Sequence, residues 1–289
     1  MIGLARALPP ADLTAIVNTA DDAEFYGVHV SPDVDIVTYW LAGIVDSDKG
    51  WGLRNDTFNV VDALGTLGED AWFRLGDRDM ATCMVRTLAM RSGKTLTDAT
   101  HEIRRRLGVG AAILPMSDDP VRTVVLTADG RRLEFQEYFV RERHEPAVGS
   151  VSLKGIEGAR PGPGVIEALG SADLVVVCPS NPIVSIGPIL ALPRVRETLR
   201  SHPNVVAVSP IVRGAPLKGP ADKLLSAEGV EVSAVGVAAL YEDFCNTFIV
   251  DMADESEIGR IAGTAAVALD TIMSDAHASE RLAKEILAL

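Results

Sequence analysis

The chemistry of this chain is concentrated in Asn18 to Asp35, NTADDAEFYGVHVSPDVD. Asp21, Asp22, Asp33 and Asp35 place four aspartates within 15 residues. Carboxylates held this close repel one another, which raises their pKa values unless a cation or a cationic group sits among them. Mg²⁺ takes oxygen ligands of this kind and shares them with substrate phosphates. The same residues also read as a solvated acidic loop, with Asp33 capping a helix and Asp35 in its first turn. His29, inside the loop, reads as an ordinary surface histidine. A second set is neutral: Ser180, Asn181 and Ser185 in PSNPIVSIGPIL, and Ser209 in SPIVRGAPLKGPA. Hydroxyls and amides on proline-stiffened loops suit a nucleotide base and phosphate oxygens. Lys218 adds a point charge for phosphate. A third set, Arg74, Arg78 and Arg86 around Gly76, surrounds LGDRD and reads as an anion or polar-ring site at a helix start.

These residues need elements to hold them. Leu13–Asn18 has the length and β-branched content of a buried strand, and a helix follows from Asp33. Further helices are expected over Thr57–Leu67, from Asp77 or Asp79 with Met80, Cys83, Met84, Thr87 and Leu88 on one face, and over Thr97–Leu107. Ala111–Ser117 and Val121–Thr127 read as strands. Asp129-Gly130 marks a hairpin whose returning strand is Arg132–Val140. After ARPGPG the βα rhythm resumes, with strands Asp173–Cys178, Val205–Val208, Asn246–Asp251 and Val267–Met273 and a last helix His277–Leu289. Alternating strands and helices imply an α/β, Rossmann-like, doubly wound and mainly parallel sheet. The expected organisation is a nucleotide-binding core of residues 1–45 and 148–289, with residues 46–147 as a mostly helical insertion ending in the hairpin. Ligands bind beyond the carboxyl ends of such strands. The three polar loops NTADD, PSNP and SPI stand there.

The chain has 289 residues, 47% of them hydrophobic, with mean hydropathy +0.20, so it can bury a substantial core. A net charge of −13 argues against nucleic acid as a partner. Cys83, Cys178 and Cys245 form no C-x-x-C pair, which points to a reducing cytoplasm. No apolar run approaches a membrane span. No P-loop or G-x-G-x-x-G is present.

Taken in order, NTADD, PDVD, WGLRNDTF, LGDRDMAT, ILPMSDDPVRT, PSNPIVSIGPI and SPIVRGAPLKGPA resemble the 2-phospho-L-lactate transferase family of deazaflavin coenzyme biosynthesis. The resemblance implies attack of the terminal ribityl hydroxyl of the deazaflavin Fo on the lactyl-bearing phosphate of lactyl-diphospho-guanosine. GMP leaves, Mg²⁺ assists, and the enzyme is a homodimer. It implies that Asp35 and Arg74 contact Fo, with Asp35 and Asp33 catalytic. Asp33 and Asp22 become the metal ligands. Asn181, Ser180 and Ser209 fall where the family approaches the guanosine diphosphate, and Ser185 and Lys218, read from their loops, join them as nucleotide-binding candidates. Two alternatives share these motifs: the same transfer from an enolpyruvyl or glyceryl donor, and a non-catalytic regulator that binds a nucleotide sugar. Asp35→Ala is expected to abolish transfer and leave the fold intact. The family opens with a short apolar strand and a GG-x-G-type turn, and this sequence has neither. As written, it is expected to melt lower and bind GMP less tightly than a version extended upstream.

Overall fold

A computed structural model describes residues 1–289. Helix α1 (Ile2–Ala7) ends before Pro9-Pro10 and leads to β1 (Thr14–Val17). The acidic stretch is not a loop. It folds into a hairpin, β2 (Ala23–Phe25) and β3 (Val28–Val30), turned by Tyr26 and Gly27, both at positive φ. Helix α2 (Pro32–Leu41) follows. Then come α3 (Asn59–Thr66), α4 (Asp77–Arg91) and α5 (Leu96–Arg106). Thr95 caps α5 in a reciprocal box with Asp98, two residues before the expected start at Thr97.

Strand β4 (Ala112–Pro115) runs parallel to β1, with Thr14 opposite Ala112 and Val17 opposite Pro115. This pairing corrects the expected insertion of residues 46–147, because a strand inside that range belongs beside the first core strand. The next three strands form an antiparallel sheet. They are β5 (Arg122–Thr127), β6 (Arg132–Glu134) and β7 (Val148–Lys154), in the order β6-β5-β7. The returning strand is shorter than expected. From Glu137 to Arg141 the chain is a π-helix, with Tyr138 fully buried.

The remaining elements alternate: α6 (Val165–Ser171), β8 (Val175–Val177), α7 (Gly187–Ala191), α8 (Val195–Ser201) and β9 (Val205–Val208). A small hairpin, β10 (Ile211–Val212) with β11 (Ala215–Pro216), precedes α9 (Ala221–Ala227) and α10 (Ala234–Tyr241). Strands β12 (Thr247–Asp251) and β13 (Ala265–Leu269) and helix α11 (Ala276–Leu287) complete the chain. Strands β8, β9, β12 and β13 are parallel and neighbour one another in chain order, as the expected α/β core requires. Strand β9 is buried on both faces, which explains its unbroken Val-Val-Ala-Val. The main core joins this sheet to α6, α8, α9 and α10. A second core packs β1, β4 and α2 against α1 and α11. β1 and β8 each keep one edge without a strand partner. Helix α4 does not bury the whole expected face: Met80, Cys83 and Thr87 are inside, whereas Met84 and Leu88 are exposed.

Candidate active site

Beyond the end of β1, Asn18 ties two loops together. Its Nδ2 donates to Asp33 Oδ2 at 3.0 Å and to the Val184 carbonyl at 3.3 Å. The acidic segment and the PSNP loop therefore meet, as the strand-end reading required. Asn181 starts a π-helix over Pro182–Ile186, and its Oδ1 accepts from Ile183 N and Val184 N. π-Helical turns often mark functional segments. The two in this chain contribute Tyr138 and Val184 to one apolar cluster with Leu224 of α9.

The aspartates divide by their partners. Asp22 has one partner on each oxygen: Oδ1 accepts from Ser31 Oγ at 2.8 Å and Oδ2 meets His29 Nε2 at 2.9 Å. The second contact gives His29 a structural job that the sequence did not reveal. Asp33 is half-buried, and its carboxyl is pushed up to about 6, first by burial, with Asp22 adding repulsion against the Asn18 bond. Asp21, passed over in the sequence, has a buried Oδ1 with no hydrogen-bond partner. Burial and the charge of Asp33 push its pKa well up. A cavity of about 10 Å³, the size of one water or ion, lies between Asp21–Asp22 and Arg122, Thr123 and Gln136. Burial and neighbouring carboxylates thus raise both Asp21 and Asp33.

Asp35 is buried and neutralised. Arg86, itself fully buried, holds both of its oxygens: Nη1 reaches Oδ2 at 3.0 Å and Nη2 reaches Oδ1. The structure therefore does not offer Asp35 to a ligand as the resemblance implied. Nor does Arg74 stand beside it. Arg74 is exposed, bonds Asp62 at 2.6 Å and lies over the Phe58 ring. Next to Asp35 stands Asp79, which accepts a 2.7 Å bond from Tyr39. Burial and the charge of Asp35 push Asp79 up to about 7.

The start of α4 is not an anion site. Asp56 fills it, its carboxylate accepting from Arg78 N and Asp79 N. A Cβ on Gly76 would lie 2.2 Å from Asp56 Oδ2, so glycine is required for this approach. Asp77 returns the favour to α3, accepting from Thr57 Oγ1, Asn59 N, Asn59 Nδ2 and Val60 N. NDTF and GDRD thus cap each other's helices.

On the opposite wall, Ser209 Oγ is buried and closes its own turn, donating to Ile211 O and accepting from Ile211 N. That removes it from the expected nucleotide contacts. Ser180 and Ser185 are half-buried without side-chain partners, and Lys218 is exposed beside Gly50. A surface depression of about 500 Å³ is lined by Arg196 and Arg200 of α8, Ala239 of α10, and Glu242, Asp243 and Gly263, and both arginines already pair with Asp243.

The family described as 2-phospho-L-lactate transferase CofD matches residues 1–287. The chain belongs to that family. As a member it is a transferase of coenzyme F(420) biosynthesis. It is 43% identical over 288 residues to the 2-phospho-L-lactate transferase of Methanosarcina mazei, covering 99% of this chain and 94% of that one. It is 42% identical over 295 residues to the phosphoenolpyruvate transferase of Streptomyces griseus, covering 99% and 92%. A crystal structure of a UPF0052 family protein from Bacillus halodurans shares the fold, with TM-score 0.61 and 15% identity over 99% of this chain and 96% of that one. No helix of this transferase is long and apolar enough to cross a membrane.

Proposed function

We propose that this transferase moves the phospholactyl group of lactyl-2-diphospho-5'-guanosine to the terminal ribityl hydroxyl of Fo, releasing GMP. The observation that carries this reading is Asn18, which bonds an aspartate of the acidic segment and the backbone of the PSNP loop at once. An acceptor wall and a donor wall then share one polar hinge. Transfer of this kind depends on positioning and charge neutralisation more than on covalent chemistry. On the donor side, the free hydroxyls of Ser180 and Ser185 and the amine of Lys218 are the groups left to meet the guanosine diphosphate. Asn181 shapes that loop. Asp33 and Asp21 would hold Mg²⁺, which supplies charge neutralisation at the diphosphate. Asp22, His29 and Ser31 keep the segment in shape.

A second donor has its own support. Relatives named for lactate and for phosphoenolpyruvate are almost equally similar to this chain, at 43% and 42% identity. Both donors carry a carboxylate next to the transferred phosphate. The protein acts in the cytoplasm as a homodimer, a state favoured by the exposed Met84, Val85 and Leu88 on α4. Mass-spectrometric detection of product from Fo, Mg²⁺ and each of the lactyl, enolpyruvyl and glyceryl donors tests the reading. The lactyl donor is expected to react fastest. Absence of product with all three would overturn the proposed transfer.

A further inference from the structure

Asp79, on the first turn of α4, is the one carboxylate of the Asp35 network that is both oriented and reachable. Tyr39 Oη fixes its Oδ1 at 2.7 Å. Tyr39 is 1% exposed, so this donor cannot swing away. The second Asp79 oxygen has no protein donor and is not fully buried. Asp35 cannot play this part, because Arg86 occupies both of its oxygens. Asp35, Asp79 and Cys83 put ligand atoms within 4.8 Å of one another, yet this is no metal site. The guanidinium already supplies the positive charge, and burial pushes the Cys83 thiol up, away from thiolate.

We propose that Asp79 is the general base of the transfer, with Tyr39, Asp35 and Arg86 as the residues that position it. The inference rests on the transfer proposed above. The free oxygen of Asp79 takes the proton of the ribityl hydroxyl as the hydroxyl oxygen forms its bond to the lactyl-bearing phosphorus. The bond from that phosphorus to the GMP oxygen breaks, and GMP leaves with the electron pair. The proton then passes from Asp79 to solvent. Burial and the negative charge of Asp35 hold Asp79 near neutrality, where a base both exists ionised and accepts a proton readily. Tyr39, by donating to the ionised form, and the Arg86 charge oppose that rise, and the Asp56 carboxylate adds to it.

The test is a pH–rate profile of the wild type, Asp79→Asn and Tyr39→Phe with Fo, Mg²⁺ and whichever donor the wild type uses. Wild-type kcat/KM is expected to fall below about pH 7 with unit slope, following the group held near 7. Asp79→Asn keeps the Tyr39 bond and the shape of the side chain. It should lower kcat by about 10²–10⁴-fold, leave both KM values within about twofold, and remove the acid limb. Tyr39→Phe should move that limb to higher pH. Melting curves of both variants confirm that they fold. An Asp79→Asn enzyme with near-normal kcat and the acid limb intact would overturn the assignment. A wild type that transfers from no donor would instead overturn the reading of the function.

Discussion

Two groups of aspartates in this molecule have opposite fates. Asp56 and Asp77 stand at helix starts and spend their oxygens on backbone N–H groups of the neighbouring helix. The bonds from Thr57, Val60 and Asn59 hold the Asp77 carboxyl down to about 2. Asp21, Asp33 and Asp79 stand where burial and like charge push them up, and each keeps an unmet demand. The first group builds the helical cover, and the second is available for chemistry. Residue type and motif membership do not separate them, since GDRD contributes Asp77 to one and Asp79 to the other. What separates them is the count of donors that reach each oxygen.

The largest effect should come from the buried Asp35–Arg86 pair beside Asp79. Arg86→Met leaves Asp35 buried and unpaired, at a cost of about 3–5 kcal/mol. Thermal unfolding should show the loss, and Asp35→Ala should destabilise too, against the sequence expectation that it spares the fold. The double variant Asp35→Leu, Arg86→Met should recover part of the loss. A single Arg86→Met with wild-type Tm would mean that the pair is not formed in solution.

The next effect is pH dependence without divalent cation. Asp33 has a folded pKa of about 6, above the unfolded value of 3.8, and Asp21 and Asp79 are also raised. Raised carboxyls favour the folded state when protonated. Their stabilisation is full below the unfolded value and is lost as pH climbs through 6 to 7. Tm should therefore be several degrees higher at pH 5 than at pH 8. Mg²⁺ should raise Tm more at pH 8 than at pH 5, because it binds the ionised pair. Asp21→Asn should raise the cation-free Tm at pH 8 and erase most of the Mg²⁺ response, whereas an unchanged Mg²⁺ response would exclude Asp21 as a ligand. Asp77 gives the opposite sign: its stabilisation is present above the unfolded value and fades as pH falls towards 2.

A smaller effect tests the helix-start group directly. Gly76→Ala puts a methyl where Asp56 now sits, so α4 must shift or lose its cap. The expected cost is about 1–2 kcal/mol, read by Tm, with a fall in kcat because Asp79 moves with the helix. Stability and turnover both at wild-type values would separate the capping from the site.

The parts of this architecture written in local pattern were legible. Strands β1, β8, β9 and β12 are apolar runs at the ends of which polar loops gather, and the parallel core followed from their alternation with helices. The β2–β3 hairpin was not legible, because its turn uses Tyr26 at φ 53, a conformation that an aromatic residue does not advertise. Nor could spacing reveal that β4 sits beside β1 across the whole helical segment. In the site, the acidic stretch was found but the partners of its members were not: His29 and Ser31 bond Asp22, and Arg86, 51 residues away, holds both oxygens of Asp35. Asp21 looked idle because only the fold shows an oxygen with nothing to bond. Such facts are counts of partners in space, and no spacing rule carries them.

The smallest effect probes the donor wall, where the comparison predicts shape without charge. Asn181 caps the π-helix with one oxygen and thereby aims the Val184 carbonyl at Asn18. Asn181→Ala should cost about 1 kcal/mol through the lost cap. Asn181→Asp keeps an acceptor at that position and should restore most of the Tm. The two should differ again in kinetics. The alanine variant should raise the donor KM several-fold and leave the Fo KM near wild type, if the PSNP loop meets the guanosine diphosphate as proposed and Asn18 is its hydrogen-bonded link to Asp33. Equal rises in both KM values would show instead that the two walls act as one unit, with Asn18 transmitting every disturbance of the PSNP loop to Asp33.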